Sequence, residues 1–333
     1  MLVAEAEAAA AAAASVDGPA GSETVGDWLD IWWEAKKPSL SPTTVSSWKS
    51  SIQLYLKPRL GSMDLCDVRA HHLEAMYRDL VEGGLSPARV QKVHTVASVA
   101  FRAAVRRQLI AASPAADASP PAVGRQEPVA PTLDEVRAIL GAVADDLELR
   151  AFLLMAANTG ARRGEVCALR WCDVDLEARV ATLARAVAKG AGTGAVVRQT
   201  KTAATGRIAI SDQVVSALQE LRALHSAEAA AVGHLLASDA FIWSQDPAGE
   251  RPIYPDTISA RFAKVRDGLG LGHVQLRHLR HFAATQLLVA GVDVRTVAGR
   301  LRHARPAMTL DRYAAWVPAR DRDAADVLGD LGG

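Results

Sequence analysis

Apolar residues recur at helical spacing from Val25, where Trp28, Ile31 and Trp32 fall on one face before Pro38 breaks the run. Ser41 followed by Pro42 supplies an N-cap with proline in the first helical position, which predicts a second helix through Trp48, Ile52 and Leu56, closed by Pro58 and Gly61. A third helix, His71 to Val81, ends at Gly83 and Gly84. A fourth starts at Ser86-Pro87 and runs through Val90, Val93, Val96, Phe101 and Val105 to Leu109. Four helices joined by short loops predict a small all-α domain over residues 23–112, with Trp28, Trp32, Trp33 and Trp48 as packing residues. Pro114, Pro120, Pro121, Pro128 and Pro131, with small residues between them, then predict an extended interdomain linker over 113–131.

The pattern changes beyond the linker. Thr132 and Glu135 form a T-x-x-E capping box, and helices are expected from Leu133 to Val143 and from Arg150 to Asn158. Val180 to Val187 and Val196 to Ile210 carry the branched residues and partial alternation of strands around glycine-rich turns. Ser211 caps a helix to about Val232, and Phe241-Ile242-Trp243 reads as a further short strand. Helical patterns follow at Thr257 to Asp267, His278 to Ala290, Arg295 to Arg302 and Ala307 to Ala315. The expected class is mainly α with a small antiparallel β-sheet, in two domains, the second over 132–316 and followed by a tail, 317–333.

Composition narrows the picture only slightly. An alanine tract inflates the 50% hydrophobic content, and residues 1–22 read as a disordered leader without a second face to pack. The 38 basic residues against 37 acidic leave a net charge of +1, so any nucleic-acid binding must come from local patches. Cys66, Cys167 and Cys172 lack the paired spacing of a zinc site and read as reduced packing residues. No apolar run approaches the ~20 residues that span a bilayer, and Glu5 and Glu7 stand where a secretory signal carries basic residues. A cytoplasmic protein is expected.

The chemistry-bearing residues of the second domain are mostly cations: Arg162 and Arg163 after a Thr-Gly turn, Lys201 in a hairpin, the run Arg277-His278-Leu279-Arg280-His281, then His303 and Tyr313. Such a set suits a phosphodiester. Guanidinium groups bind non-bridging oxygens bidentately and stabilise charge in a pentacoordinate transition state, and a tyrosine can be the nucleophile. Singly, each residue is as well explained by a solvated surface. His278 and His281 share a helix face, but the adjoining arginines repel a metal cation, so no metal site is expected there.

In combination, these segments resemble the tyrosine recombinases, the phage-integrase family, from Val25 onward. Asn158 to Glu177, NTGARRGEVCALRWCDVDLE, resembles the family's first arginine box, which implies Arg162 as the first catalytic arginine and Glu165 as its acidic support. Gln199 to Ile210, QTKTAATGRIAI, resembles the hairpin carrying the family's lysine, here Lys201. Arg277 to His303 resembles the second box and implies Arg280 as the second arginine, His281 after it, and His303 in the His/Trp position. Tyr313, in TLDRYAAW, takes the nucleophile position. The four-helix unit, with LKPRLGSMDL between its second and third helices, is similar to the family's core-binding domain.

The resemblance implies cleavage through a 3′-phosphotyrosyl link with no metal and no cofactor, Holliday-junction strand exchange, and a two-domain clamp on duplex DNA acting as a homotetramer. Lys49, Arg102, Arg106 and Arg107 are candidate phosphate contacts, and a directionality factor or host DNA-bending protein is a possible further partner. The expected role is an integrase of a phage or mobile element without an extra N-terminal arm-binding domain, with a Xer-like resolvase or a DNA-binding relic as alternatives. A nicking or topoisomerase activity is a third. The tail with Val317, Ala324, Ala325, Val327 and Leu328 is a candidate helix for docking on a neighbouring protomer. Two departures stand out. Arg277 occupies the usual place of a catalytic histidine and cannot accept a proton, which leaves that step to His281, His278 or water. Arg302 stands where the family commonly has glycine.

Overall fold

The computed structural model describes residues 23–124, 130–189, 194–199, 206–302, 307 and 309. The chain divides into two compact units, Met1–Arg125 and Gln126–Gly333.

The first unit is helical. Thr24 caps α1 (Val25–Lys36) by accepting from Asp27 N at 3.2 Å, and Ser41 caps α2 (Pro42–Ser51) by accepting from Thr44 N at 3.4 Å. Pro58 does not close the second helix as the sequence suggested. Ile52–Leu56 forms a π turn in which Lys57 N–H donates to Ile52 O, and the helical run continues over Lys57–Leu60 to Gly61. Proline removes a donor and crowds the carbonyl four residues back, and the wider π turn accommodates both defects without ending the helix. α3 (Ala70–Glu82) and α4 (Pro87–Arg106) complete the unit. Trp28, Trp32, Ile52, Leu73, Val93 and Phe101 lie in its core, and Trp28 Nε1 donates to Ala100 O at 3.1 Å.

The proline-rich segment is not extended throughout. Pro114–Asp117 forms a helical turn with proline at its start, and Ala115 and Ala118 are buried in the core of the first unit. Ser119 N donates to Glu74 Oε1 at 3.0 Å, and Gln91 Nε2 donates to Pro121 O at 3.2 Å. Small residues between the prolines thus dock on the first core.

In the second unit, α5 (Leu133–Ala142) opens on the expected capping box. Thr132 Oγ1 accepts from Glu135 N, and Glu135 Oε2 accepts from Thr132 N at 2.7 Å. α6 (Leu147–Thr159) is almost wholly buried and leads into α7 (Arg163–Val166). Five short strands follow among the described residues. β1 (Val174–Asp175), β2 (Val180–Leu183) and β5 (Gly206–Ala209) form an antiparallel sheet with Ala181 opposite Ile208. β3 (Arg185–Lys189) and β4 (Ala195–Gln199) pair antiparallel with Val187 opposite Val197. α8 (Asp212–Ala231), α9 (Pro255–Gly268), α10 (His278–Val289) and α11 (Val294–Arg300) complete the described elements. The fold is mainly α with small antiparallel sheets, as expected.

Phe241–Trp243 is not a strand. Phe241 makes an isolated bridge to Arg170, and Ile242 N donates to Leu169 O at 3.0 Å, so the buried segment is satisfied by loop contacts. Trp243 packs edge-on against Phe152 at 5.2 Å between ring centroids in the core of this unit. Of the cysteines only Cys167 is a packing residue, with burial pushing its thiol up to about 12; Cys66 and Cys172 are exposed. No helix among the described residues is long and apolar enough to cross a membrane.

Candidate active site

Arg162 lies at the turn between α6 and α7. Gly160 ends α6 in the left-handed conformation, φ 62, which lets the chain reverse sharply before Arg162 enters extended geometry as the N-cap of α7. Glu165, in the first turn of α7, accepts from Arg162 N at 2.7 Å and from Arg162 Nη1 at 2.9 Å. The Glu165 side chain is 4% exposed and that of Arg162 is 54% exposed, so the carboxylate anchors a guanidinium that still faces solvent.

Arg280 reaches the same turn from α10. Its Nη1 donates to Gly160 O at 2.6 Å and its Nη2 to Leu301 O, at the end of α11. Arg302, next to Leu301, donates through Nη2 to Glu165 Oε2. The contacts form a closed circuit from Gly160 through Arg162, Glu165, Arg302, Leu301 and Arg280 back to Gly160. Arg300 braces it from outside, with Nη2 donating to Asn158 O and Ala209 O, both at 3.0 Å. Nothing in the sequence pattern singled out Arg300, because an arginine near a helix C-terminus reads as a solvated dipole partner.

Arg277 is exposed at the N-terminal end of α10. It lines an open groove of about 490 Å³ with Arg163, Ser259, Arg266 and Gln275. Arg163 is itself tied to Ser259 and to Asp256, the latter at 3.2 Å. His278 Nδ1 accepts from Gln275 N at 3.2 Å. Burial, then the charge of Arg277, with His273 and Arg266, hold His278 below the ordinary histidine range. The ring of His281 lies 6.0 Å from that of His278. No group of three or more His, Cys, Asp or Glu side chains that could hold a metal occurs among the described residues. Lys201, His303, Tyr313 and the tail lie outside them.

In the first unit, Lys49 is exposed on α2, and Arg102 and Arg106 are exposed on α4. Arg107, just beyond α4, is exposed and has its guanidinium carbon 5.4 Å from the centre of the Trp28 ring. Arg102 Nε donates to Ser98 O at 3.2 Å.

Comparison with known proteins places residues 132–319 in a match to the model described as the phage integrase family. Residues 24–81 match one described as the phage integrase N-terminal SAM-like domain. A tyrosine recombinase XerC-like protein of Caldanaerobacter subterraneus is 23% identical, over 92% of this chain and 83% of its own. A putative prophage phiRv2 integrase of Mycobacterium tuberculosis is 26% identical, over 92% of this chain and 78% of its own. Among solved structures, the Tn1549 transposon integrase in complex with a circular intermediate DNA superposes with a TM-score of 0.76 at 18% identity, covering 92% of this chain and 100% of that one. A lambda integrase tetramer bound to a Holliday junction superposes with a TM-score of 0.65 at 20% identity, covering 91% of this chain and 87% of that one.

Proposed function

The chain belongs to the phage integrase family of tyrosine recombinases, DNA breaking–rejoining enzymes, and on that premise we propose that it is a site-specific integrase of a phage or mobile element. The observation that carries the reading is the closed circuit around Gly160. It anchors two arginines from distant parts of the chain on backbone and carboxylate partners and leaves the Arg162 guanidinium half exposed. Preorganised donors of this kind hold a phosphodiester without reorganising as charge builds.

In the proposed reaction the Tyr313 hydroxyl attacks the scissile phosphorus, a 3′-phosphotyrosyl bond forms, and the bond to the 5′-oxygen breaks. Arg162 and Arg280 hold the non-bridging oxygens, Lys201 protonates the leaving 5′-oxygen, and His303 hydrogen-bonds the phosphate. A 5′-hydroxyl of a partner duplex then attacks the phosphotyrosyl link, which restores the phosphodiester and frees the tyrosine. Arg277 serves as a donor to phosphate and not as a base. His278 is poorly placed to accept the tyrosine proton, because a neutral imidazole whose Nδ1 already accepts a hydrogen bond carries its proton on Nε2. The acceptor is therefore His281 or water.

Four strands are cut when two duplexes exchange, so the active assembly is a homotetramer on DNA. Relatives named as prophage and ICEBs1 integrases support the mobile-element role, while those named XerC-like and XerD keep a Xer-like resolvase as the alternative. The test is covalent trapping on a nicked duplex from the flanks of the encoding element, without added metal. A protein–DNA adduct that disappears in Tyr313→Phe is the expected result. Binding of the same duplex with no adduct would favour a silent DNA binder, the reading for which Arg277 speaks. Exchange between two separate duplex sites distinguishes recombination from relaxation of one.

A further inference from the structure

Arg302 is an unusual side chain for its backbone. Its φ is 54, in the left-handed region that glycine enters freely and arginine only at a cost. Its side chain is 8% exposed and runs so close to β5 that a Cβ on Gly206 would collide with Arg302 Cδ. Glycine at 206 is therefore what admits the arginine. Burial works against the Arg302 charge and Glu165 supports it, while Nη1 is buried without a hydrogen-bond partner among the described residues. A strained, buried cation is retained where it contributes something glycine does not.

The charge balance of the cluster indicates what that is. Glu165 offers Oε1 to the Arg162 guanidinium, while Oε2 accepts from both Arg162 N and Arg302 Nη2. Without Arg302, Glu165 would leave the pair of Arg162 and Arg280 with a single net positive charge. With Arg302 sharing it, the described cluster of Arg162, Arg280 and Arg302 against Glu165 stays doubly positive. Together with the bond from Arg162 N, the Arg302 contact holds the carboxylate from which the Arg162 guanidinium is oriented.

We propose that Arg302 is a positioning residue of the phosphate clamp, which holds one oxygen of Glu165 so that Arg162 is oriented by the carboxylate without being neutralised by it. The inference rests on the recombinase reading above.

The test compares full-length wild type with Arg302→Gln, Arg302→Gly, Arg302→Lys, Glu165→Gln and the double variant Glu165→Gln/Arg302→Gln. The readouts are single-turnover adduct formation on a nicked duplex, affinity for that duplex, and calorimetric titration of inorganic phosphate into the DNA-free protein. Arg302→Gln and Arg302→Gly are expected to slow adduct formation by about ten-fold or more, with duplex affinity kept within about three-fold and Arg302→Lys recovering part of the rate. Phosphate should bind about ten-fold more weakly to Arg302→Gln, and the double variant should be no slower than Glu165→Gln alone, as two residues acting through one contact require. Arg302→Gly relieves the left-handed strain, so it keeps the test open if Arg302→Gln folds poorly. Wild-type rates and phosphate affinity in Arg302→Gln and Arg302→Gly would overturn the inference while leaving the recombinase reading standing. Absence of an adduct from wild type would instead overturn that reading, and phosphate titration would still decide on Arg302: equal affinity in wild type and Arg302→Gln, or no binding to wild type, rejects the role.

Discussion

Gly160 has two roles at the active-site turn: its left-handed backbone reverses the chain, and its carbonyl receives Arg280. A Cβ there would lie 2.5 Å from Leu301 Cδ2. Gly160→Ala is expected to destabilise the protein by about 1–3 kcal/mol, read as a lower urea midpoint, and to slow cleavage because Arg280 loses its seat. Arg162→Ala should differ in kind. Its side chain is half exposed and leaves no buried void, so the stability loss should be confined to about 1–2 kcal/mol from Glu165 Oε1 losing its donor, whereas adduct formation should fall by about 10²–10³-fold. An Arg162→Ala protein that cleaves at the wild-type rate would remove Arg162 from the site. These roles depend on particular atoms: a lysine at 280 has one ammonium and cannot reach Gly160 O and Leu301 O as a planar fork does.

Among the elements, α6, α7, α10 and α11 place the site, and α5 packs into the core beneath them. The Thr132–Glu135 box starts α5, and Thr132→Ala should cost about 1 kcal/mol by denaturant titration, since Glu135 N is then left without its acceptor. Glu135 is held below the usual carboxylate range first by its bond from Thr132 N, so that contribution is present at neutral pH and is lost on acidification through the depressed value. Phe152 on α6 is fully buried against Trp243, and Phe152→Ala should cost about 3–5 kcal/mol, enough to loosen the helix that ends in the Gly160 turn. The hairpin of β3 and β4 and the sheet of β1, β2 and β5 are short, and their apolar faces pack through Val187, Ala181 and Ile208 into the same core. That packing steadies β5, on which Arg300 and the path of Arg302 depend.

For the whole molecule, charge and protonation set the conditions under which it works. With a net charge of +1, DNA affinity must come from local cations. Lys49, Arg102, Arg106 and Arg107 are proposed phosphate contacts, and on that proposal each alanine substitution should lower the slope of log affinity against log salt by about one. An unchanged slope removes that residue from the interface. His94, His225 and His278 are each held below 6.5, in all three cases first by burial. The folded chain therefore takes up protons at lower pH than the unfolded chain, and this stability is complete above about pH 6.5 and lost as pH falls through the depressed values. The urea midpoint should drop between about pH 7.5 and pH 5.5, and replacing the three histidines with glutamine should flatten the drop.

The local pattern of the chain was sufficient for most helices. Helical periodicity, the Ser41-Pro42 start and the Thr132–Glu135 box act between residues a few positions apart, so near neighbours decide them. Folding decided whatever depends on partners distant in the chain. Pro58 is accommodated by a π turn, residues 114–121 dock on the first core, and Phe241–Trp243 is satisfied by loop contacts instead of a strand ladder. Arg277 and Arg280 were read from one motif, yet one lines a groove with Arg163 and Arg266 while the other is seated on Gly160 and Leu301. Arg302 could be seen in the sequence as a substitution for glycine. That it shares a buried carboxylate with Arg162 was decided only by tertiary packing, because a contact across 137 positions leaves no periodic trace in the sequence.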